Sequence, residues 1–432
     1  MFCTILDLCR LSGAARGLTV LDDVIVVGAG PAGNNAALGL AVQGYSVTVI
    51  DWRQNIGDKP CTGIVGQECL LKFPIDASLV HRSASSANVV SPEDLSVQID
   101  AKSPKASIID RVSYVASFAK RAQAAGARYL LGQRVLKIVP EDGSVSVSTG
   151  DGTYRSRSVV MATGFGSPLV RQMGLGSVPD HVSGVQALVS TANIEDVEVY
   201  LGQNVAPGFF SWVVPTSPGR ALVGLLTRRN APAHLAKFLQ QLRLAGRITN
   251  VIKEPECWGI PLRPLKRTYR DRVLVVGDAA GQVKPTTGGG IYYSLLASEI
   301  VVDVLGRSLR FDDLSAAALS EYQAKWKHLL SFELEAGYSA RRLFEFMTDQ
   351  QISSLIRQAT SNGLHQELLN SSESSFDWHS QVIGKIMCNP AVSGALRLVN
   401  PLLAKFAPTS DVPLGITAAI PHYVEPFARP AL

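Results

Sequence analysis

Residues 24–33 read Val-Ile-Val-Val-Gly-Ala-Gly-Pro-Ala-Gly, and this stretch decides the fold. The apolar run 24–27 predicts a buried strand, and Gly28, Gly30 and Gly33 have the G-x-G-x-x-G spacing of a strand-to-helix turn. In such a turn the first glycine permits a tight bend, the second lets the backbone approach a pyrophosphate, and the third lets the helix pack closely. The stretch therefore predicts a dinucleotide-binding turn.

A second strand and a carboxylate come after this turn. Residues 36–41 are good helix formers, Gly44 ends the helix, and residues 46–50 form a second apolar strand that finishes at Asp51. The helical crossover makes the two strands parallel. Because a carboxylate at the end of the second strand can accept hydrogen bonds from ribose hydroxyls, Asp51 strengthens the nucleotide-binding interpretation.

A second glycine-rich turn lies far along the chain. The apolar run 272–276 predicts a buried strand, and the sequence Gly-Asp-Ala-Ala-Gly over 277–281 presents Asp278 at its carboxyl edge. That carboxylate can hold a polyol chain, although Asp278 alone is equally compatible with a turn residue or a helix cap. Residues 285–291 lead into a helix over 288–305, whose amide groups can stabilise negative charge on a bound cofactor.

The chain between the two turns is predicted to be rich in β-structure. Alternating patterns over 87–99 and 144–160 indicate antiparallel strands, and residues 114–125 indicate a helix. Shorter strands are predicted at 184–190, 197–201, 209–214 and 221–226. From residue 312 onward the pattern is mostly helical, with a polar break at 370–375. The nucleotide-binding domain is therefore expected to be discontinuous in sequence.

Composition limits the classes of function. The 432 residues are 46% hydrophobic and 18% charged, with a net charge of +5, as expected for a globular protein with a mild preference for anionic groups. Nucleic acid would require a denser basic patch, so no nucleic-acid partner is expected. The 6 cysteines lack the spacing of a disulfide scaffold or a zinc site, which predicts a reducing, cytoplasmic location and no metal.

Membrane contact, if present, is expected from one side only. No uninterrupted apolar stretch is long enough to span a bilayer, and residues 1–21 lack the charge order of a signal peptide. Near-helical spacing recurs in a late basic segment, at Val392, Leu396, Val399, Leu403 and Phe406. Such a segment fits a peripheral contact with the inner face of a membrane, and it fits packing on the protein's own core equally well.

Three motifs make the chain similar to a known group of enzymes. Residues 56–63 read Ile-Gly-Asp-Lys-Pro-Cys-Thr-Gly, residues 210–215 read Phe-Ser-Trp-Val-Val-Pro, and residues 277–293 contain the second glycine turn. The two turns together resemble FAD-dependent enzymes built like p-hydroxybenzoate hydroxylase, and the three motifs resemble the geranylgeranyl reductase family. The resemblance implies that FAD is the cofactor, that the loop 56–63 passes beside the flavin, that Asp278 holds the ribityl chain, and that Arg111 contacts FAD.

The patterns and the resemblance together predict an α/β fold. We expect a Rossmann-like FAD-binding domain of the GR2 type, an inserted antiparallel β-sheet substrate domain and a helical C-terminal region. The expected boundaries are an N-terminal extension over 1–21, an FAD-binding domain over 22–75, 108–175 and 265–310, a substrate domain over 76–107 and 176–264, and a helical region over 311–432.

The candidate site residues come from the glycine turns, the loop 56–63 and the aromatic strand. The predicted catalytic residues are Cys61, Phe210 and Trp212. The predicted cofactor-binding residues are Gly28, Gly30, Pro31, Ala32, Gly33, Asp51, Trp52, Cys61, Gly63, Arg111, Gly164, Asp278, Pro285, Gly288, Gly289, Gly290 and Ile291. Cys61 is either a reactive thiol or a small apolar side chain that fills its loop.

The sequence also departs from the family pattern. The family strand Tyr-x-Trp-x-Phe-Pro lines the lipid cavity, whereas this chain has Phe210 for the tyrosine and Val214 for the phenylalanine. Period-2 geometry still places these two residues and Trp212 on one face, either as an apolar wall against the flavin or as ordinary core. Residues 162–164 read Ala-Thr-Gly where related enzymes carry Asp-Gly, so direct reduction by a nicotinamide cofactor is unsupported. The electron donor, ferredoxin-like or a reduced nicotinamide, is left unidentified.

Five basic residues lie close together in the sequence and are called the basic set: Arg263, Lys266, Arg267, Arg270 and Arg272. They could bind a lipid phosphate, or they could belong to an ordinary solvated loop.

The function expected from this combination is the FAD-dependent reduction of carbon–carbon double bonds in an isoprenoid lipid. Three alternatives remain open: a flavin monooxygenase or halogenase, an electron-transfer flavoprotein that reduces a membrane quinone, and an isoprenoid-binding flavoprotein with little catalysis. The quinone alternative is weakened because the cysteines lack iron–sulfur spacing.

Overall fold

The fold is known from a computed structural model, which describes residues 21–191, 194–371 and 374–388. The predicted N-terminal extension, apart from Leu21, and the amphipathic pattern over 392–406 lie outside these residues. The described residues up to Ile383 belong to one compact unit, which contains all three sheets of the described chain and nearly all of its helices.

The described chain contains strands throughout its first two thirds. In chain order they are β1 (Asp22–Val27), β2 (Val47–Asp51), β3 (Ile64–Gly66), β4 (Val80–Ala84), β5 (Ser86–Val90), β6 (Ser96–Asp100), β7 (Ala106–Ile109), β8 (Arg128–Leu131), β9 (Val135–Glu141), β10 (Ser144–Thr149), β11 (Thr153–Met161), β12 (His181–Thr191), β13 (Val197–Leu201), β14 (Phe210–Pro215), β15 (Arg220–Thr227), β16 (Ile248–Pro261), β17 (Tyr269–Arg270) and β18 (Val273–Val275).

Helices connect the strands and then dominate the last third. In chain order they are α1 (Pro31–Val42), α2 (Gln67–Lys72), α3 (Arg111–Ala124), α4 (Pro168–Gln172), α5 (Ala231–Leu244), α6 (Ile291–Arg310), α7 (Ala316–Glu345), α8 (Asp349–Ser361), α9 (Leu364–Asn370) and α10 (Ser380–Cys388).

The first sheet carries the glycine turns. It has 8 strands, with the order β17-β18-β11-β1-β2-β8 and with β9 and β10 continuing from β11. Strand β1 pairs in parallel with both β2 and β11, and β11 pairs in parallel with β18. The predicted βαβ unit and the return of the late strand to the first domain are confirmed. The parallel pairing of β11 was not predicted, because its alternation indicated only the antiparallel hairpin with β10.

Both faces of this sheet are covered, which explains why β2 is buried at every position and β1 at every position except Asp23. Val24 and Val26 of β1 belong to a core that includes residues of α1, α3, α6 and α7. Ile25 and Val27, on the other face, belong to a separate core with residues of β9, β10 and α4. Period-2 alternation thus divides β1 between two cores.

The second sheet is the predicted inserted sheet. It has 7 strands in the order β16-β12-β15-β14-β13-β5-β6, and most neighbours are antiparallel. The exception is the parallel pairing of β13 with β5, which joins Val197–Leu201 to a segment that precedes it by more than one hundred residues. The predicted inserted antiparallel sheet is confirmed, and it contains this one parallel pair because the chain leaves the sheet after β6 and returns at β13.

Several elements differ from the sequence-based expectation. Strand β4 pairs with β7, which also pairs with β3, so part of the segment 76–107 lies in a small sheet of its own. Strand β16 and helix α5 were not predicted. The alternating pattern of β16 is hidden by Lys253-Glu254-Pro255-Glu256 in its middle, where its register with β12 shifts. Helix α6 begins at Ile291 rather than at residue 288.

The long helix α7 is fastened to the first sheet by buried polar contacts. Its Trp326 Nε1 donates to Thr268 Oγ1 at 2.9 Å. The Tyr322 hydroxyl donates to the Val275 carbonyl at 2.9 Å and accepts from Gln282 Nε2 at 3.0 Å, while Gln282 Oε1 accepts from the Gly277 amide. The helix therefore stabilises the turn after β18. Within the described residues, no helix is both long and apolar enough to cross a membrane.

We predict that Tyr322→Phe lowers the free energy of unfolding by about 1–3 kcal/mol, because a buried carbonyl and a buried amide lose their partner. Chemical denaturation measures the change. The matched control is Tyr154→Phe, whose half-buried hydroxyl donates to Gln133 Oε1 at 3.0 Å. Its loss should cost less than about 1 kcal/mol, because Gln133 can turn to water. Equal losses in the two variants would contradict the role given to Tyr322.

Candidate functional site

One cavity of about 740 Å³ collects most of the predicted site residues. Its walls come from both glycine turns, the loop after β2 and the inner face of the second sheet. The predicted residues that line it are Gly28, Gly30, Pro31, Ala32, Asp51, Trp52, Cys61, Arg111, Gly164, Phe210, Trp212, Asp278, Gly288, Gly289, Gly290 and Ile291. Gly33, Gly63 and Pro285 do not line it.

The first glycine turn has the shape of a phosphate cradle. A Cβ on Gly28, whose φ is +112°, would lie 2.2 Å from the Ala162 carbonyl oxygen, and a Cβ on Gly33 would lie 1.9 Å from the Gly28 oxygen. At Gly30 nothing lies within 4 Å of a Cβ, and no side chain caps the start of α1. This tight packing places the N-terminus of α1 beside the open space at Gly30, where an anionic group can bind. These residues fit a dinucleotide.

Asp51 holds the turn through both of its oxygens. Oδ2 accepts from the Ala29 amide and Oδ1 accepts from the Arg53 amide, each at 2.7 Å, and the side chain lines the cavity. The adjacent Trp52 is half exposed, and the guanidinium groups of Arg53 and Arg134 lie 4.3 and 4.8 Å from its ring centroid. This end of the cavity therefore presents an aromatic ring and positive charge.

The loop 56–63 is tied to the second glycine turn. Arg111 Nη2 donates to the Gly57 carbonyl at 2.5 Å and also to the Lys59 carbonyl. Lys59 Nζ donates to Asp278 Oδ2 at 2.6 Å. On the far side of Asp278, a Cβ on Gly290 would lie 2.8 Å from Oδ1. Arg111 thus shapes the loop, and Asp278 joins the loop to the late turn, a partnership that was not predicted.

Cys61 is half buried in the same loop. Its Sγ accepts from the Gly63 amide at 3.5 Å, and its carbonyl accepts from Gln186 Nε2 at 3.3 Å. Gly63 has a φ of +70°, which a glycine adopts without strain. The loop geometry explains why Gly63 matters although it does not line the cavity. Lys59, the cation nearest in sequence to the thiol, is paired with Asp278.

Strand β14 supplies an aromatic wall. Phe210, Trp212 and Val214 line the cavity, and the rings of the first two lie 5.9 Å apart. Val213 belongs to a core on the other face, with residues of α5. The Trp212 Nε1 atom is buried and has no hydrogen-bond partner.

Glycines in the neighbouring strands make room for the large rings. A Cβ on Gly224 of β15 would lie 2.4 Å from the Trp212 ring, and a Cβ on Gly184 of β12 would lie 2.7 Å from the Trp258 ring. Trp258 also lines the cavity, and it was missed because the strand β16 that carries it was not predicted.

Sequence reasoning also missed a buried ion pair in the cavity wall. Lys284 Nζ lies 3.3 Å from Asp377 Oδ1, and the two side chains are 5% and 2% exposed. Burial lowers the pKa of Lys284, and the Asp377 carboxylate opposes that shift. Asp377 comes after the segment 370–375, in which the sequence indicates only a polar break within a mostly helical region. The sequence signal that could have revealed the pair is Lys284 itself, a charged residue between Val283 and Pro285.

The basic set lies outside this cavity. None of its five members lines the cavity. Its arginines contact other parts of the protein: Arg263 pairs with Glu335, Arg267 lies over the Tyr269 ring, Arg270 donates to the Met173 carbonyl, and Arg272 donates to the Arg157 carbonyl. No cluster of potential metal ligands occurs among the described residues.

Comparison with known proteins places the chain among oxidoreductases. The family model for pyridine nucleotide-disulphide oxidoreductase matches residues 22–204. A digeranylgeranylglycerophospholipid reductase of Methanococcoides burtonii is 30% identical over 77% of this chain and 86% of the relative.

Solved structures show the same fold. A geranylgeranyl bacteriochlorophyll reductase-like protein of Thermoplasma acidophilum has a TM-score of 0.74 at 21% identity, covering 89% of this chain and 98% of that chain. A variant of the halogenase PltM in complex with FAD has a TM-score of 0.62 at 16% identity, covering 89% of this chain and 95% of that chain.

The two glycines of the first turn give a paired prediction. Gly33→Ala should destabilise the apoprotein by about 1–3 kcal/mol, because the added methyl group meets backbone. Gly30→Ala should leave apoprotein stability within about 1 kcal/mol. It should nevertheless weaken binding of the predicted FAD by about tenfold or more, which is 1.4 kcal/mol. Thermal unfolding and titration of apoprotein with FAD measure the two effects. Unchanged FAD affinity in the Gly30 variant would argue against this cradle.

Proposed function

Because the chain belongs to the geranylgeranyl reductase family of flavin-dependent oxidoreductases, we propose that it binds FAD and reduces carbon–carbon double bonds in the geranylgeranyl chains of a lipid. The observation that carries the proposal is that a single cavity contains both the glycine cradle and the wall of Phe210, Trp212 and Val214. A dinucleotide and an apolar chain can therefore meet in one enclosed space. The name of the relative from Methanococcoides burtonii supports a glycerophospholipid as substrate, and the diphosphate precursor of such a lipid is the alternative that we propose.

The residues that would hold FAD lie along the first sheet. The amide-rich turn ending at Gly33 would bind the pyrophosphate, and Asp51 has lone pairs left for ribose hydroxyls. Asp278 would hold the ribityl chain at the second turn, with Lys59 fixing its orientation. Gly288, Gly289 and Gly290 would permit close approach of the ring. Bound and reduced, FAD supplies a hydride to one alkene carbon.

The aromatic wall would act on the substrate. An isolated alkene is a poor hydride acceptor, so protonation of one carbon has to precede or accompany hydride addition to the other. Positive charge that develops on the isoprenoid carbon can be stabilised by the ring faces of Phe210 and Trp212. The same wall excludes water and orients the chain. Because Val214 is smaller than phenylalanine, it leaves more room for the lipid beside Trp212.

The electron donor and the membrane contact belong to the proposal as well. A ferredoxin-like protein or a reduced nicotinamide would deliver electrons, and the two donors are distinguished by direct assay. A lipid substrate requires access to a membrane, and the net charge of +5 favours an anionic lipid surface. We expect a cytoplasmic protein in peripheral contact with the inner face of the membrane.

The first experiment is anaerobic. The purified holoprotein is reduced with dithionite, a geranylgeranyl glycerophospholipid is added, and flavin reoxidation is followed together with product mass. We predict reoxidation with a gain of two hydrogen atoms for each double bond reduced. A parallel assay in air separates the oxygen-dependent alternatives, because substrate-dependent oxygen consumption with an oxygenated or halogenated product would favour the monooxygenase or halogenase. Reoxidation by a quinone and by no isoprenoid lipid would favour the electron-transfer flavoprotein.

We predict that Trp212→Leu lowers kcat by about tenfold or more, since the variant loses the ring face that stabilises positive charge. FAD affinity should change by less than about threefold, or 0.7 kcal/mol. The matched control is Val213→Ala on the opposite face of β14. It should lower the free energy of unfolding by about 1–3 kcal/mol while leaving kcat close to wild type. Wild-type turnover in the Trp212 variant would contradict a catalytic role for the Trp212 ring.

A further inference from the structure

The buried pair of Lys284 and Asp377 has no part in the function proposed so far, although both residues line the cavity. We propose that this pair sets the reduction potential of the bound flavin, with Lys284 favouring negative charge on the ring and Asp377 opposing it. The inference rests on the proposed function, because it requires FAD in this cavity.

Lys284 lies directly against the second glycine turn. Its amide donates to the Gly289 carbonyl at 3.0 Å, and its carbonyl accepts from the Gly288 amide at 2.9 Å. A Cβ on Gly289 would lie 3.0 Å from Lys284 Cε and 3.7 Å from Nζ. The glycine loop therefore packs on the lysine side chain and faces the cavity. A ring that packs against Gly289 would therefore lie close to the ammonium group.

Both charges of the pair are fixed in place. Lys284 Nζ donates to the Phe376 carbonyl at 2.8 Å and lies 4.7 Å from the centre of the Phe376 ring. Asp377 Oδ2 accepts from the Cys69 amide at 3.1 Å, and its backbone carbonyl accepts from the Tyr293 hydroxyl. Because the pair is shielded from solvent, its field is weakly screened and cannot relax by side-chain rotation.

The titratable neighbours of the pair add little positive charge to this wall. His379 contacts the Phe376 carbonyl through Nε2 and Thr286 Oγ1 through Nδ1. Burial and then the Lys284 charge lower the pKa of His379 to about 4, so this imidazole is neutral at neutral pH. The other lysine of the cavity wall, Lys59, is 35% exposed and its charge is screened by water. Lys284 and Asp377 are therefore the two buried charges of this wall, and Glu333 acts on Lys284 from α7.

Stability alone does not account for an ion pair in this wall. A buried ion pair contributes little to folding, because desolvation of the two charges offsets their attraction, and apolar replacements are often neutral or stabilising. An electrostatic role toward the cofactor does account for the pair, because a preorganised charge in a dry site acts strongly on charge that develops beside it.

The test uses the holoprotein and variants that remove one charge while keeping hydrogen-bonding groups. Lys284→Gln should lower the midpoint potential of bound FAD, and Asp377→Asn should raise it. We expect each shift to reach at least a tenfold change in the reduction equilibrium, or about 30 mV for a two-electron couple. The double variant should return to the wild-type value. Anaerobic titration with dithionite against a reference dye measures the potentials.

The control is Lys325→Gln on α7, which removes one charge from an exposed pair with Asp303 of α6 and should leave the potential unchanged. Shifts of the same sign in both single variants, or no shift in either, would overturn the inference. If one single variant does not fold, the sign of the other decides. Wild-type protein that binds no FAD would instead refute the proposed function, whereas FAD bound at an unchanged potential would refute only the role of the pair.

Discussion

The contact on which the rest of the structure depends is that of Gly33 with the Gly28 carbonyl oxygen. A Cβ at Gly33 would lie 1.9 Å from that oxygen, so only glycine lets α1 begin this close to the end of β1. The same approach brings the helix N-terminus to the carboxyl edge of the parallel sheet, where ligands of open α/β sheets bind. The cradle, the position of Asp51 and the floor of the cavity all depend on this close packing.

The site is completed by contacts between segments that are remote in sequence. Lys59 and Asp278 are 219 residues apart, and their ion pair brings the loop after β2 to the turn after β18. Tyr322 of α7 binds the strand and the turn on the other side. The cavity wall therefore draws on early, middle and late parts of the chain. The loop after β2 and the turn after β18 are held by a few hydrogen bonds and ion pairs. The aromatic side chains of β14 are held by packing.

Sequence reasoning succeeded where local geometry dictates structure. The glycine spacing, the apolar strands and the period-2 face of Phe210, Trp212 and Val214 depend only on neighbours in the chain, and the structure brings these residues to one cavity. It failed where partners are distant or where a pattern is interrupted. Lys284 and Asp377 are 93 residues apart, so neither signals the other. Strand β16 carries charges at its centre, which concealed both the strand and Trp258. The roles assigned to individual site residues remain predictions.

The parallel pairing of β13 with β5 bears on how the protein acquires its fold. Strands β5 and β6 are synthesised before β7 to β11, yet they join a sheet whose other members come afterwards. The second sheet cannot be completed by any continuous piece of the chain that lacks strands of the first. During synthesis its first hairpin has to wait, with an unpaired edge, until Val197–Leu201 emerges. Completion of the second sheet therefore requires that the strands of the first sheet up to β11 have already been synthesised. Neither sheet can be cut out of the chain as one continuous, independent segment.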